Sequence, residues 1–171
     1  KRIWLIMKQI ITILLISFFA NSCGIYSFTG ASTPKNAKTV SVNYFTTTTS
    51  SLPSSLNYSI TEGLKDLLLS QTELQLIELE GDLVFNGNIT KYQVNPIAIQ
   101  ANETAGKNRL TIEVQIKYKN TFNDNQNFEN TFSRYRDFNS SENLSEIEDV
   151  LIDEIIKEIL EDVFNKAFVN W

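Results

Sequence analysis

The stretch RLTIEVQIKYK, residues 109–119, alternates apolar and polar side chains almost without a break. Leu110, Ile112, Val114, Ile116 and Tyr118 point one way; Thr111, Glu113, Gln115 and Lys117 point the other. Successive residues of a strand face opposite sides, so this period specifies a β-strand with one face on a core and one in water. Such a face needs a covering layer, and two segments of helical period can supply it. Leu56, Ile60, Leu64, Leu67 and Leu68 fall at i, i+4, i+8, i+11 and i+12, one face of a helix from Ser54 to Ser70. Gly63 weakens that helix by about 1 kcal/mol relative to Ala. The second helix runs from Ser145 to Phe168, with Ile147, Leu151, Ile155, Ile159, Val163 and Ala167 along one face. Val150, Ile152, Ile156, Leu160, Phe164 and Phe168 widen that face beyond what one sheet contact needs. Ser145 with Glu148 fits a capping box, and Asn143 with Glu146 offers a related cap.

The remaining segments complete a sheet. TVSVNYF, residues 39–45, is alternating and β-branched, hence a strand. The threonines that follow can prolong it, but Pro53 and the serines favour a loop. ELQLIELEG and DLVFNGNITKYQVNPIAI form two strand-like runs punctuated at Glu80 and Gly81. Gly87 implies a bulge or a close backbone approach, and Pro96 an edge position or a place beyond the paired part. NDNQN turns the chain, and FENTFSRYRDF returns as an antiparallel partner. The expected fold is α+β: a four- to five-stranded, mostly antiparallel sheet with two helices packed on one face, in the order β-α-β-β-β-(β)-α. The expected organisation is a signal over residues 1–22, a tether over 23–38 and a single domain over 39–171.

Composition removes most chemistry. The chain has no histidine and one cysteine, Cys23, so an intramolecular disulfide, a structural zinc site and a Ser–His or Cys–His nucleophile are all excluded. No resident cofactor or metal is implied, and no Gly-rich phosphate loop follows a strand. A sequence pI near 4.8 argues against a nucleic-acid partner, whose phosphates select basic surfaces. The carboxylates of the last helix read as a solvated face. These features describe a protein that is not an enzyme.

The first charges, Lys1, Arg2 and Lys8, are all positive, and QIITILLISFFA follows them. Twelve apolar-rich residues are short of the roughly twenty that span a bilayer, and the pattern is that of an export signal. Met7 is a plausible start. Ala20, Asn21 and Ser22 before Cys23, with Gly24 after it, resemble the lipobox of bacterial lipoproteins, although the usual leucine is here Ala20. The resemblance implies cleavage after Ser22 and lipid on Cys23, a membrane anchor at the outer membrane facing the periplasm. Loss of residues 1–22 removes three basic residues and no acidic one, leaving 12 basic against 20 acidic, a net charge of −8.

Two surfaces stand out in the rest of the chain. Arg134 and Arg136 share one face of their strand, with Arg109 and Lys117 on the strand before it. Together they form a candidate basic patch, since the arginine fork suits phosphate; the alternative is pairing with Glu113, Glu129 or Asp137. Phe164, Phe168 and Trp171 form a candidate partner-contacting cluster at the end of the last helix, the alternative being burial against the sheet.

CGIYSFTGAS after the signal, FNGNITKYQVNPIAI, NRLTIEVQIKYKN and FENTFSRYRDF before an acidic C-terminal helix together resemble the lipopolysaccharide-assembly lipoprotein family, LptE, in its Bacteroidota form. The resemblance implies a non-catalytic lipoprotein that plugs the outer-membrane β-barrel of the lipopolysaccharide translocon. It also implies help in assembling that barrel and contact with lipopolysaccharide. The family's ligand-contacting residues do not map here by motif, so Arg134, Arg136, Arg109 and Lys117 remain candidates from their chemistry. Other readings are an accessory lipoprotein of another outer-membrane assembly complex, or a periplasmic lipid- or glycan-binding module.

Overall fold

The structure, a computed structural model, describes Trp4 and residues 33–49, 52–97 and 106–169. Residues 31–171 form one compact unit, distinct from residues 1–30. Its strands are β1 (Thr39–Val42), β2 (Thr46–Thr47), β3 (Gln75–Leu76), β4 (Leu83–Ile97), β5 (Lys107–Asn120) and β6 (Phe128–Asn139). Helix α1 (Leu56–Gln71) lies between β2 and β3, and helix α2 (Leu144–Phe168) closes the order. One sheet runs β3-β1-β4-β5-β6, with β2 also on β4. The two long ladders, β4 with β5 and β5 with β6, are antiparallel. The short pairings of β1 and β2 with β4, and of β1 with β3, are parallel. Helix α1 provides the long connection that parallel neighbours need.

The expected strand over residues 39–45 is split, and the cause is local. Phe45 leaves the ladder because α1 satisfies its backbone: Thr61 Oγ1 accepts from Phe45 N–H at 3.1 Å, and Asn57 Nδ2 donates to Phe45 O at 2.7 Å. The Phe45 ring then enters the core opposite Gly87, where an added Cβ would lie 2.3 Å from the ring. Of the two expectations for Gly87, close approach is the one realised. The irregularity falls three residues on, between Ile89 and Lys91. Past Ile89 the side of β4 away from β5 has no strand partner among the described residues, and Pro96 sits on that stretch.

The apolar face of β5 is buried along its whole length, and Val40, Phe85, Ile89 and both helices close over it. Leu56, Ile60, Leu64 and Leu68 of α1 are buried, as their spacing predicts, and Leu67 is half-buried. On α2 the buried set runs from Ile152 to Phe168, whereas Val150 is exposed. Asn143 caps α2: its side chain accepts from Ser145 N–H and donates to Glu146 at 3.3 Å. Glu148 is thereby free for another role, accepting a hydrogen bond from Tyr92 Oη that ties β4 to the first turns of the helix.

Two polar details of this core carry predictions. Tyr118 is 1 % exposed, packed on Phe85 and Phe128 at 4.9 and 5.1 Å, and its hydroxyl has no hydrogen-bond partner among the described residues. A buried donor without a partner costs its lost hydration, so Tyr118→Phe should stabilise the domain by about 1 kcal/mol in chemical denaturation. At the start of β1, Asp82 accepts from the N–H groups of Lys38 and Thr39 at 2.8 and 2.9 Å. The hydrogen bond from Lys38 N–H, then those from Thr39, hold its carboxyl below the usual range. A depressed carboxylate stabilises the fold above its unfolded pKa, and that contribution disappears as pH falls through the folded value. Asp82→Asn should therefore flatten the acid limb of a stability–pH curve below about pH 4 and leave its slope near pH 7 unchanged.

Candidate interaction surfaces

Strand parity sorts the basic residues onto two faces. Arg134 lies opposite Ile112 and Arg136 opposite Leu110, so both side chains leave β6 on the core side of the sheet. Arg109 lies opposite Asp137 and Lys117 opposite Glu129, on the open side. The four residues therefore do not form one patch.

On the core side, α2 meets the two arginines with a carboxylate at every turn. Arg134 donates to Asp162 at 2.8 Å, and Arg136 donates to Glu154 at 2.7 Å and Glu158 at 2.6 Å. The hydrogen bonds that Arg136 donates to Glu158, then to Glu154, raise its pKa, and the one Arg134 donates to Asp162 raises that of Arg134. Reciprocally, the Arg136 hydrogen bond holds the Glu158 carboxyl below its ordinary value. Positions 154, 158 and 162 share one helix face, four residues apart, beside two arginines that share one strand face. The group stitches the sheet's last strand to the helix, and both guanidiniums are engaged. Arg136→Ala should cost about 1 kcal/mol at low salt and less at high salt, because the pairs are half-exposed.

The open face carries Lys91, Lys107, Arg109, Lys117 and Lys119 against Glu113, Glu129 and Asp137. Arg109 grips Asp137 with two hydrogen bonds of 2.7 and 2.9 Å and lies 3.7 Å from the centroid of the Tyr135 ring. That hydrogen bond depresses the Asp137 carboxyl. Lys91 pairs with Glu113 at 3.3 Å and Lys117 reaches Glu129 at 3.9 Å; the Arg109–Asp137 and Lys117–Glu129 pairs are among those that sequence offered as the alternative to a patch. The face is polar and slightly basic, while α2 carries eight acidic residues.

Phe164 and Phe168 are 8 % and 0 % exposed, their rings 5.0 Å apart, and Phe168 packs on Phe85 and Tyr118. The folded domain spends both rings on its core, which removes them from a partner surface. Cys23 and Trp171 lie outside the described residues. Between α1 and α2 the outer surface has an open depression of about 330 Å³ beside Gly63 and Leu160, whereas fully buried side chains occupy the space between helices and sheet among the described residues. The Arg136–Glu154–Glu158 group was missed in sequence. Its one sign was three acids at a four-residue interval, which also fits a solvated face.

Two helices packed on one face of the sheet, with the other face ion-paired, define a domain of mixed α+β architecture. The chain belongs to the LptE family: the family model described as lipopolysaccharide-assembly matches residues 37–167. It is thus a non-enzymatic lipopolysaccharide-assembly protein of an outer-membrane lipoprotein family. Among solved structures, a hypothetical protein from Chlamydia trachomatis is similar with a TM-score of 0.54 and 12 % identity, covering 78 % of this chain and 99 % of that one. A protein from Xanthomonas campestris has a TM-score of 0.51 at 7 % identity, covering 77 % and 83 %. Rare lipoprotein B from Shewanella oneidensis has a TM-score of 0.43 at 11 % identity, covering 72 % and 92 %. The first two likenesses bear on the fold alone. No curated protein matches the chain.

Proposed function

We propose that the chain is lipidated at Cys23 and seats its domain as a plug in the lumen of the lipopolysaccharide-translocon barrel. There it helps the barrel assemble and aids passage of lipopolysaccharide to the outer leaflet. The observation that carries this reading is the family match over residues 37–167. The polar sheet face supports it, because an ion-paired surface is compatible with a hydrated lumen. The filled space between helices and sheet disfavours a module that encloses a lipid or glycan there. Lys117, exposed and 3.9 Å from Glu129, is the candidate left most available to lipopolysaccharide phosphates, since Arg109, Arg134 and Arg136 are each held by shorter carboxylate contacts. Depletion of the protein should leave lipopolysaccharide short at the cell surface, read by surface labelling. Normal display after depletion contradicts the role.

The anchor has its own test. Two or more acyl chains make membrane residence stable, each buried CH₂ contributing about 0.8 kcal/mol. Cys23→Ala should release the protein from the membrane fraction after its signal is bypassed with a cleavable secretory leader. Full retention in that fraction contradicts lipidation at Cys23.

A further inference from the structure

Strand β6 is the last of the sheet, and the two halves of its outer edge differ. The bond from Ser140 N–H to Gly106 O, 2.9 Å, sets the phase of the β5–β6 ladder. Even-numbered residues of β6 therefore turn their backbone groups to β5, and odd-numbered residues turn theirs outward. In the later half, Asn139 N–H is capped by Glu142 at 2.7 Å and Tyr135 O by Arg136 Nη1 at 3.0 Å. In the earlier half, the N–H and C=O groups of Glu129, Thr131 and Ser133 have no partner among the described residues.

Other open edges of the sheet resist strand addition. The stretch of β4 past Ile89 carries an irregularity, Lys91 and Pro96, and β3 has only two residues. Strand β6 keeps an unbroken register over Phe128–Asn139 and contains no proline, glycine or lysine. Only an extended chain presents N–H and C=O groups in the order that matches its open row. The side chains beside that row define what such a chain carries. On the core side Phe128 and Phe132 are half-buried, their rings 6.5 Å apart, so part of each ring is uncovered. On the open side the Glu129 side chain is 52 % exposed, and its cation, Lys117, comes no nearer than 3.9 Å. A second copy of β6 is a poor complement, because it brings further carboxylates and arginines already held by α2. Within the chain, residues 98–105 join Ile97 to Lys107, at the opposite end of β5 from this row. Residues 170–171 are too few for a strand.

We infer that the open half of the β6 edge receives, by antiparallel strand addition, an extended segment of a different polypeptide. That segment sets apolar side chains opposite Phe128 and Phe132 and a cation opposite Glu129. Side chains alternate along a strand, so its two apolar residues lie four apart and the cation sits next to one of them. About six backbone hydrogen bonds form, two at each of Glu129, Thr131 and Ser133. The guanidinium on Tyr135 O closes the pairing at that end. The added strand leaves the ion pairs between β6 and α2 in place, and one copy of the domain suffices. The inference uses the edge alone and does not require that the segment belong to the barrel.

The test reads amide hydrogen exchange residue by residue in the full chain. One sample is the chain purified alone in mild detergent, the other the assembly that the tagged chain brings out of the envelope. The amides of Glu129, Thr131 and Ser133 should exchange quickly in the first sample and about tenfold or more slower in the second. Those of Asn130 and Phe132, which bond to β5, should be slow in both. Thr131→Pro is the matched variant. The N–H that it removes points away from β5, so the domain should keep its urea midpoint and lose the partner. Fast exchange of the three amides in the assembly overturns the inference. So does slow exchange in the isolated chain, which assigns the edge to residues 23–32 or to a second copy. Retention of the partner by a folded Thr131→Pro variant overturns it too. Protection gained in an assembly that lacks the translocon barrel supports the edge pairing and contradicts the barrel reading, so the two fail separately.

Discussion

Phe168→Ala is expected to lower the stability of the domain by about 3–5 kcal/mol, the usual loss for a fully buried aromatic ring. The ring is 0 % exposed at the last turn of α2 and meets Phe85 at 6.4 Å, Tyr118 at 6.5 Å and Phe164 at 5.0 Å. Its removal opens a cavity where α2, β4 and β5 share an aromatic cluster, and rings cannot slide into such a space cheaply. Urea titration reads the result: the midpoint should fall with the slope unchanged, showing that native compactness is kept. A loss below about 1 kcal/mol is a surface-residue value and would contradict the burial of this ring.

Gly81→Ala should be nearly as damaging, by about 3 kcal/mol, for a different reason. A Cβ there would lie 2.7 Å from Ser41 N, 2.8 Å from Val40 C and 2.9 Å from Leu83 O, all of them backbone atoms. No rotamer can relieve that contact, so β1 and β4 must part. Glu80 beside it already has a φ of 52°, a conformation that side chains disfavour, so the turn has little slack. Gly63→Ala is the matched control. Its nearest obstacle is Leu160 Cδ1 at 2.8 Å, the mobile tip of a side chain, and helix propensity favours Ala by about 1 kcal/mol. If the two substitutions cost the same, backbone crowding at Gly81 is not the cause.

What could be read from sequence was what depends on period. The alternation of residues 110–118 is the buried face of β5, and the spacing of Leu56, Ile60, Leu64 and Leu68 is the buried face of α1. The features hidden from sequence depend on contacts between distant segments. Nothing local says that Asn57 and Thr61 will take the backbone of Phe45 and split the first strand. Nor does a strand's sequence state which neighbour it joins in parallel, as β1 joins β4. At the candidate site, parity alone implied that Arg134 and Arg136 share a face, but not that the face was the one beneath α2. The same blindness affected Phe164 and Phe168. A wide apolar helix face looks like surplus until a sheet and a second helix are present to cover it.

The central claim is that this lipoprotein works with the lipopolysaccharide-translocon barrel, and co-purification after crosslinking in intact cells tests it most directly. The account predicts that the barrel protein is recovered with the tagged chain, and that lipopolysaccharide accompanies the pair. Recovery of a different outer-membrane assembly complex, with the translocon barrel absent, would contradict it.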